Sequence, residues 1–419
     1  MLISLFTPSH DTRYLGRAWR SVLRQTHETW EWVILLNGSA NEHDLPEDLL
    51  KDPRVKVHRT FSGLSVGKLK AEACDYCQGE LLVEFDHDDE LRSDCLEKLA
   101  EALTAQPGGF FFSDCVEREP NGASRHYGQH WGWGEPYSSK WDDYREVSVQ
   151  PSMEVTARTL YQIYYAPNHV RAWSRSAYLK AGGYNRQLSI CDDQDLLIRT
   201  YLSGTEMVRI PECLYMQYVS QLQTQKLRNE EIQNLQAELG AKYLEKLALE
   251  WTRRNKLAAY DMGAAHNPAP GYTSVDLHNA QVCVDVTKGL PFEDNSVGVI
   301  RAHDFLEHIP QGKPVIEFMN ECWRVLAPGG WLLTNTPNTD GRGAFQDPTH
   351  VSFWNSNSFW YYTQKEHMKY VPELKAQFQL TRVANYFPSQ WHTLHRIEYV
   401  AADLWALKGQ HVCGGDQTK

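Results

Sequence analysis

The chain has 419 residues, 23% of them charged, and a formal net charge of −11 at pH 7. This length is enough for two domains, and the composition excludes a disordered chain and a membrane-spanning one. The acidic balance argues against a broad phosphate-binding surface, although it leaves room for a local basic groove. Nine cysteines, with a first segment that lacks the features of a signal peptide, predict a cytoplasmic protein with reduced thiols.

The first 115 residues or so alternate between apolar runs and amphipathic segments. Strands are predicted at LISLFTP, WEWVILL, ELLVEFD and GGFFFSD, and helices at YLGRAWRSVLRQ and KLKAEACDYCQG. This alternation predicts a mostly parallel sheet of the α/β class, in which ligands bind outside the carboxyl ends of the strands. The polar turns TPSHD, LNGS and FDHDD follow such strand ends, so we expect them to meet at one edge of the sheet.

The turn FDHDD places Asp86 and Asp88 directly after the buried run of residues 81–85. Two carboxylates at a strand end both reach a hard cation such as Mg²⁺ or Mn²⁺, which also binds phosphate oxygens. A run of solvated acids in a turn is the alternative for an isolated pair. The two polar turns upstream favour the metal site.

Residues 120–150 break the alternating pattern and are rich in Gly, Ser, Trp and Tyr. They predict either a long surface excursion or an aromatic wall for an acceptor, with Trp131 and Trp133 as the stacking side chains, and both hypotheses remain open.

Two helices are predicted next, at SRSAYLKAGG and CDDQDLLIRTYLSG. The second begins with Asp192 and Asp193, followed by Asp195, and acids are favoured at a helix N-terminus whatever their function. Residues 221–255 are rich in Gln, Glu, Lys and Leu and predict an amphipathic helix that connects two domains.

In their order, these segments resemble the family 2 glycosyltransferases of the GT-A fold. LISLFTPSHD is similar to the family's opening strand and nucleotide-contacting turn, and GLSVGKLKAEACDYCQGELLVEFDHDDEL to the segment leading into its Asp-x-Asp motif. RSAYLKAGGYN followed by CDDQDLLIR is similar to the stretch that holds the acidic pair of the acceptor side. The resemblance covers about residues 1–220 and implies a nucleotide-diphospho-sugar transferase fold, with a UDP-sugar as the expected donor.

The resemblance also implies roles for individual residues. Asp86 and Asp88 would hold Mn²⁺ or Mg²⁺ and the donor diphosphate, and Asp193 would be the general base of a single displacement with inversion. Repulsion from the acids beside it is expected to raise the pKa of Asp193. The processive QxxRW element is absent, so one sugar is expected per event. Further donor contacts would be Pro8, His10, Asn37 and Lys68, and the acceptor side would comprise Asp192, His169, Trp131 and Trp133.

A second α/β pattern begins near residue 256, with strands predicted at KLAAYDMG, YTSVDL, SVGVIRAHDFLEH and GGWLLTNTP and a helix at KPVIEFMNECWRVLAPGG. Residues 256–365 resemble a Rossmann-like class I methyltransferase that uses S-adenosylmethionine. By that resemblance Gly263 lies in the cofactor turn, Asp276 binds a ribose, Asp285 neighbours the adenine and His303 follows the fourth strand.

The cofactor turn departs from the family's Gly-x-Gly pattern, since Ala264 and Ala265 follow Gly263. The segment NPAPG cannot be helical, so the usual first helix is expected to be shortened or missing. Active methyl transfer and a structural or acceptor-binding remnant both remain open.

The motif HDFLEH also offers His303, Glu307 and His308 as metal ligands. A further anchor at a familiar spacing does not follow, and the resemblance to a methyltransferase turn already accounts for the motif. We therefore expect no metal there.

The predicted organisation is a glycosyltransferase domain (1–220), a helical linker (221–255), a methyltransferase-like domain (256–405) and a flexible tail (406–419). The expected function is transfer of one sugar to an acceptor hydroxyl on a glycan, a small molecule or a nucleic acid, with no membrane span. The alternatives are a glycosyltransferase acting on hydroxymethylated bases in DNA, as in phage DNA hypermodification, and a non-catalytic nucleotide-binding scaffold.

Overall fold

The structure is a computed structural model that describes residues 1–128, 139–142, 146–162, 166–219 and 227–408. The chain divides into two compact units, Met1–Leu247 and Ala248–Lys419. The division falls inside a long helix at the place where the sequence predicts the linker. None of the helices in the described ranges is long and apolar enough to cross a lipid bilayer.

The first unit is built on an eight-stranded sheet and a separate two-stranded hairpin. Its strands are β1 (Ile3–Ser9), β2 (Trp30–Leu36), β3 (Val55–Arg59), β4 (Leu81–Glu84), β5 (Glu90–Leu91), β6 (Phe110–Arg118), β7 (Lys140–Asp142), β8 (Val147–Val149), β9 (Arg171–Ser174) and β10 (Met207–Tyr218). The spatial order of the large sheet is β3-β2-β1-β4-β9-β6-β10-β5, and β7 pairs with β8.

Helices cover this sheet and lead into the second unit. They are α1 (Leu15–Leu23), α2 (Glu47–Lys51), α3 (Val66–Tyr76), α4 (Cys95–Ala105), α5 (Ala157–Gln162), α6 (Arg175–Lys180), α7 (Asp192–Leu202) and α8 (Asn229–Arg254), with a 3-10 turn at Glu42–Asp44.

The four strands β3, β2, β1 and β4 are parallel, as the alternation of strands and helices predicts. The short strand β9 runs antiparallel between β4 and β6. The pattern of alternating strands and helices does not predict this strand, which lies directly before α6. Its insertion brings Arg171 beside the end of β4, next to Glu84.

The second unit has a seven-stranded sheet in the order β13-β12-β11-β14-β15-β17-β16. The first five strands in this order are parallel. At one side of the sheet, β17 pairs antiparallel with β15, and β16 pairs antiparallel with β17. The strands are β11 (Ala258–Met262), β12 (Thr273–Asp276), β13 (Val282–Cys283), β14 (Val297–His303), β15 (Leu326–Pro337), β16 (Phe378–Tyr386) and β17 (Tyr399–Ala406).

The helices of this unit are fewer and mostly short. They are α9 (Lys313–Val325), α10 (Gly343–Gln346), α11 (Trp360–Thr363), α12 (Lys365–Met368) and α13 (Gln390–His395), with 3-10 turns at Val286–Lys288, Leu306–His308 and Ser356–Phe359. A loop joins β11 directly to β12, which confirms the expected loss of a helix there. The predicted α/β class is confirmed in both units.

Candidate functional site

The three polar turns of the first unit meet at one edge of the large sheet. The Thr7 hydroxyl donates to the carbonyl of Phe85 at 2.6 Å, and the backbone N–H of Asn37 donates to the carbonyl of Ser9 at 2.9 Å. The rings of His10 and His87 lie edge to face with centroids 5.2 Å apart. The expected convergence of these turns is therefore confirmed.

Asp86 follows directly on β4 and is tied to the sheet through its backbone, whose N–H donates to the Tyr215 hydroxyl at 3.2 Å. Burial raises the pKa of Asp86; His169 and Lys70 offset part of this effect, while Glu84 and Asp88 add to it. A half-buried acid with a raised pKa and a second acid beside it suits a hard divalent cation. The pair Asp86 and Asp88 therefore fits the ion that the sequence predicts.

A helix behind the turn fixes its backbone. The Arg17 guanidinium on α1 donates to the backbone carbonyl of Asp88 and lies over the ring of Tyr218, 3.5 Å from its centroid. The Asp88 side chain is consequently presented by a backbone that both α1 and β10 hold in place.

A buried lysine that the sequence argument overlooked joins the two acidic motifs. The Lys70 ammonium lies 2.6 Å from Glu84 Oε1 and 2.9 Å from Asp192 Oδ2. Lys70 belongs to α3, so this helix connects the end of β4 with the start of α7. Burial, reinforced by the charge of Asp193, raises the pKa of Asp192 to about 6 despite this ammonium.

Lys68 was the lysine expected at the donor, and it lies two positions before Lys70 on α3. Its backbone N–H donates to the hydroxyl of Ser65, which caps the helix. Residues two apart on a helix do not share a face, so the side chain of Lys68 leaves the helix in a different direction from that of Lys70. The role of Lys68 stays a prediction.

Asp193, the expected general base, is held by an arginine from β9. Arg171 Nη1 lies 2.5 Å from Asp193 Oδ2 and 3.7 Å from Glu84 Oε2. The Asp193 side chain is 27% exposed, against 7% for Asp192 and 3% for Arg171. Among these three groups, Asp193 is thus the one most open to a ligand.

The expectation that neighbouring acids raise the pKa of Asp193 is wrong. Burial does act in that direction, but the charges of Arg171 and Lys70 outweigh it and hold the pKa of Asp193 well below its ordinary value. Both cations come from distant parts of the chain, so the local run of acids in the sequence indicated the wrong sign.

The charges at this edge do not balance. In the described ranges of the chain, two lysine or arginine side chains face four carboxylates, before Asp88 is counted. The carboxylates are those of Glu84, Asp86, Asp192 and Asp193, and the cations are those of Lys70 and Arg171. A divalent cation would neutralise the excess negative charge and let a diphosphate approach.

His169, which is predicted on the acceptor side, lies at the same edge. Its ring stacks on Tyr215 with centroids 5.0 Å apart, and its Nε2 atom is buried without a hydrogen-bond partner in the described part of the chain. Burial, together with the charge of Arg171, lowers the pKa of His169. A neutral imidazole with an unsatisfied nitrogen is suited to a polar ligand atom. Trp131 and Trp133, the other acceptor-side predictions, lie outside the described residues.

Pro8 is the remaining predicted donor contact. It is half-buried in β1, where it pairs in register with Leu35 of β2. Pro8 is the last residue but one of β1, and His10 directly follows the end of this strand.

The cofactor turn of the second unit depends on its glycine. Gly263 has φ of +74°, and a Cβ there would lie 2.7 Å from Cδ2 of Phe305. Its N–H donates to the carbonyl of Val275 at 2.8 Å. At the end of β12, Asp276 Oδ2 accepts from the N–H of Ala265 at 3.2 Å. The structure thus brings Gly263 and Asp276 to one turn.

The other two predicted cofactor residues lie at or near neighbouring strand ends. Asp285 immediately precedes and caps the 3-10 turn after β13. Its hydrogen bond from Thr287 and its ion pair with Lys288 at 3.1 Å lower its pKa. His303 ends β14, and burial, together with the charge of Arg301, lowers its pKa to about 3. His303 is therefore neutral at pH 7.

Comparison with known proteins agrees with this division of the chain. Residues 4–178 match the family described as glycosyl transferase family 2, and residues 257–334 match the methyltransferase domain family.

Two curated relatives match different parts of the chain. A Mycolicibacterium smegmatis protein named as an S-adenosylmethionine-dependent methyltransferase is 30% identical over 126 residues, which is 29% of this chain and 46% of the relative. The match therefore spans less than half of that relative's length. WcaA of Escherichia coli, named as a colanic acid biosynthesis glycosyl transferase, is 22% identical over 223 residues, 52% of this chain and 73% of the relative.

Solved structures of S. aureus TarS residues 1–349 are also similar. The structure without a named ligand is 16% identical with a TM-score of 0.43, covering 61% of this chain and 72% of that one. The complex with UDP-GlcNAc is 14% identical with a TM-score of 0.45, covering 60% and 71%. On the two family matches, the chain carries a glycosyl transferase family 2 domain within residues 4–178, followed by a methyltransferase domain within residues 257–334.

Proposed function

We propose that the first unit transfers a single sugar, with inversion, from a nucleotide-diphosphate sugar to an acceptor hydroxyl, and that it requires Mn²⁺ or Mg²⁺. The observation that carries this proposal is the unbalanced acidic edge, where a half-buried Asp86 lies near Asp88 and within the field of Lys70. The family match supports the transfer of a glycosyl group. The expected donor is a UDP-sugar.

The divalent ion, held by Asp86 and Asp88, would neutralise the charge that develops on the departing diphosphate. The nucleotide is expected at the carboxyl ends of β1 and β2. His10 lies there with its ring against that of His87, as does Asn37, whose backbone N–H donates to the carbonyl of Ser9. Pro8 is assigned to the same side of the site. These contacts would orient the donor with its sugar toward α7.

Asp193 is the group that we assign as general base. Its side chain is the more exposed of the acidic pair, and the ion pair with Arg171 fixes the position of its carboxylate. With its pKa well below the ordinary value, Asp193 is fully ionised at pH 7 and ready to accept the hydroxyl proton. Asp192 has the better-matched pKa, about 6, but it is buried against Lys70, and access decides the assignment.

The second unit is proposed to bind S-adenosylmethionine at the turn formed by Gly263 and Asp276, with Asp285 and His303 at the neighbouring strand ends. The methyltransferase family match supports this assignment, as does the left-handed backbone of Gly263, a conformation that favours glycine. Methylation of the glycosylated product is the corresponding activity. We place both reactions in the cytoplasm, since the eight cysteines in the described ranges are all free.

Donor binding is tested by a thermal-shift screen of nucleotide sugars with and without Mn²⁺ or Mg²⁺. We expect stabilisation by at least one UDP-sugar that requires the metal and is lost in Asp88→Ala. Asp75→Ala is the matched control, because Asp75 forms an exposed ion pair with Arg186 away from the strand ends. A wild-type protein that neither binds nor hydrolyses any nucleotide sugar would favour the scaffold hypothesis.

The base assignment is tested by Asp193→Asn, which is isosteric and keeps a hydrogen-bond acceptor for Arg171. We expect transfer to fall by at least about 10²-fold, the usual contribution of a general base, with donor affinity preserved. Unchanged turnover would remove Asp193 from this role.

The acceptor is tested once the donor is known, by offering glycans, small alcohols and duplex DNA that contains hydroxymethylated bases. Transfer to the DNA alone would select that alternative. For the second unit, calorimetry with S-adenosylmethionine should give heat with wild type and none with Asp276→Ala. Wild type without heat at high cofactor concentration would indicate a remnant.

A further inference from the structure

A cluster of potential metal ligands lies in the second unit, apart from the proposed cofactor residues. One ligand atom from each of Glu307, His308 and His350 lies within 4.8 Å of the others. The two imidazole rings are edge to face, with centroids 5.1 Å apart. His303, which the sequence suggested as a partner of Glu307 and His308, is not part of the cluster. The additional ligand is instead His350, from a loop much later in the chain.

The loop that carries His350 is anchored on the turn that carries the other two ligands. The N–H groups of Val351 and Ser352 both donate to the carbonyl of Glu307, at 2.8 and 3.0 Å. The Ser352 hydroxyl donates to the carbonyl of Leu306 at 2.8 Å. These bonds hold the loop immediately after His350 against the turn Leu306–His308, so the approach of the two histidines follows from a built backbone contact.

The second nitrogen of each histidine already faces an oxygen. His308 Nδ1 lies 3.3 Å from the carbonyl of Thr349, and His350 Nδ1 lies 3.2 Å from the carbonyl of Ala344. His308 Nδ1 also lies 3.3 Å from the Thr349 hydroxyl, which donates its proton to Asp347. The tautomer with the proton on Nδ1 satisfies these contacts in both histidines, because a carbonyl only accepts, and it leaves each Nε2 lone pair for a ligand. A metal-binding histidine usually donates its other ring N–H to a carbonyl or carboxylate in this way.

The carboxylate of the cluster lacks a strong cation. Glu307 is 2% exposed, and its Oε2 accepts from the Thr336 hydroxyl at 2.7 Å. In the described part of the chain, no Lys or Arg is found in an ion pair with it. A buried carboxylate is costly unless a positive charge is close, and a metal ion would supply that charge.

We propose that Glu307, His308 and His350 bind a divalent transition-metal ion such as Zn²⁺, Mn²⁺ or Co²⁺. Two imidazoles and one carboxylate favour these ions over Mg²⁺ and Ca²⁺, which prefer oxygen ligands. The ligand set also differs from the all-oxygen pair Asp86 and Asp88. None of these three ligands is among the residues proposed for sugar transfer or methyl transfer.

The position of the site indicates how the metal would be used. The turn Leu306–His308 follows the carboxyl end of β14, and His350 lies in the connection after β15, the adjacent parallel strand. Ligands of α/β sheets bind at this edge. Three protein ligands leave coordination positions open, and the exposed His308 borders solvent, so an oxygen of a substrate has access to the ion.

The test is a Co²⁺ titration of the full-length protein after treatment with a chelator, followed by visible absorption. The proposal expects one Co²⁺ whose d–d bands require the cluster and are lost when Zn²⁺, but not millimolar Mg²⁺, is added. His308→Gln and His350→Gln should each weaken binding by at least about tenfold, since even indirect ligand contacts contribute that much. Asp88→Ala should leave the signal intact.

His395→Gln is the matched control, because His395 is an exposed histidine of the same unit that contacts Trp391 rather than the cluster. Circular dichroism in the presence of chelator checks that each variant folds, and His308→Gln, at an exposed position, carries the test if His350→Gln does not fold. Equal Co²⁺ affinity in wild type and folded His308→Gln would overturn the proposal, as would a wild-type protein without a Co²⁺ signal.

Discussion

Replacing Arg171 by Met perturbs both stability and catalysis at the proposed site. The change removes a guanidinium that is 3% exposed and lies 2.5 Å from Asp193 and 3.7 Å from Glu84. Removing one partner of a buried pair costs about 3–5 kcal/mol. We expect a cost at the lower end, about 3 kcal/mol, because Asp193 is partly exposed and Lys70 remains beside Glu84.

The pH dependence of this loss follows from the sign of the pKa shift. The folded-state pKa of Asp193 lies below the ordinary value of 3.8, so the pair stabilises the wild type above pH 3.8 and ceases to do so as the pH falls through the folded-state pKa. The difference in unfolding free energy between wild type and Arg171→Met should therefore be largest near neutral pH and narrow as the pH falls through the pKa of Asp193 in the folded variant. Urea unfolding at each pH measures it.

The same variant tests the base. Without Arg171 the pKa of Asp193 rises, so the acid limb of the pH–rate profile for transfer should move to higher pH. Arg209→Met is the matched control, because Arg209 forms a 2.8 Å ion pair with Asp114 elsewhere in the same sheet and should leave the limb in place. An acid limb that stays fixed in folded Arg171→Met would refute the assignment of Asp193.

Three further predictions concern single residues. Gly263→Ala should lower the melting temperature and weaken S-adenosylmethionine binding, because the new Cβ would lie 2.7 Å from Phe305. Gly312→Ala is the control, since Gly312 has φ of +88° but no neighbour within 4 Å, and it should show only the backbone cost of about 1–3 kcal/mol. An equal loss of stability in the two variants would contradict a clash with Phe305. Mg²⁺ affinity, measured by calorimetry from pH 8 to pH 4, should fall as the pH drops through the raised pKa of Asp86. A flat pH profile, together with equal Mg²⁺ affinity in Asp86→Asn and wild type, would exclude Asp86 as a ligand. Lys70→Met should destabilise the first unit by about 3–5 kcal/mol in urea unfolding, because it leaves the buried carboxylates of Glu84 and Asp192 without this cation. A loss of less than about 1 kcal/mol would mean that these carboxylates become protonated at little cost.

Local chemistry alone determined much of this protein. The alternation of apolar runs and helices predicts both sheets, because each strand and helix is specified by residues adjacent in sequence. Asp86 and Asp88 stand out because acids directly after a buried strand are unusual. The missing helix after β11 follows from the prolines of NPAPG, which cannot be helical.

Only the tertiary structure decided which charges face one another. Arg171 comes from a strand that the sequence pattern does not predict, and it reverses the expected shift in the pKa of Asp193. Lys70 rather than Lys68 joins the acidic motifs. His350 reaches Glu307 and His308 only because a loop folds back onto their turn. Electrostatic and ligand geometry depend on distances in space, and residues far apart in sequence acquire those distances only when the sheets assemble.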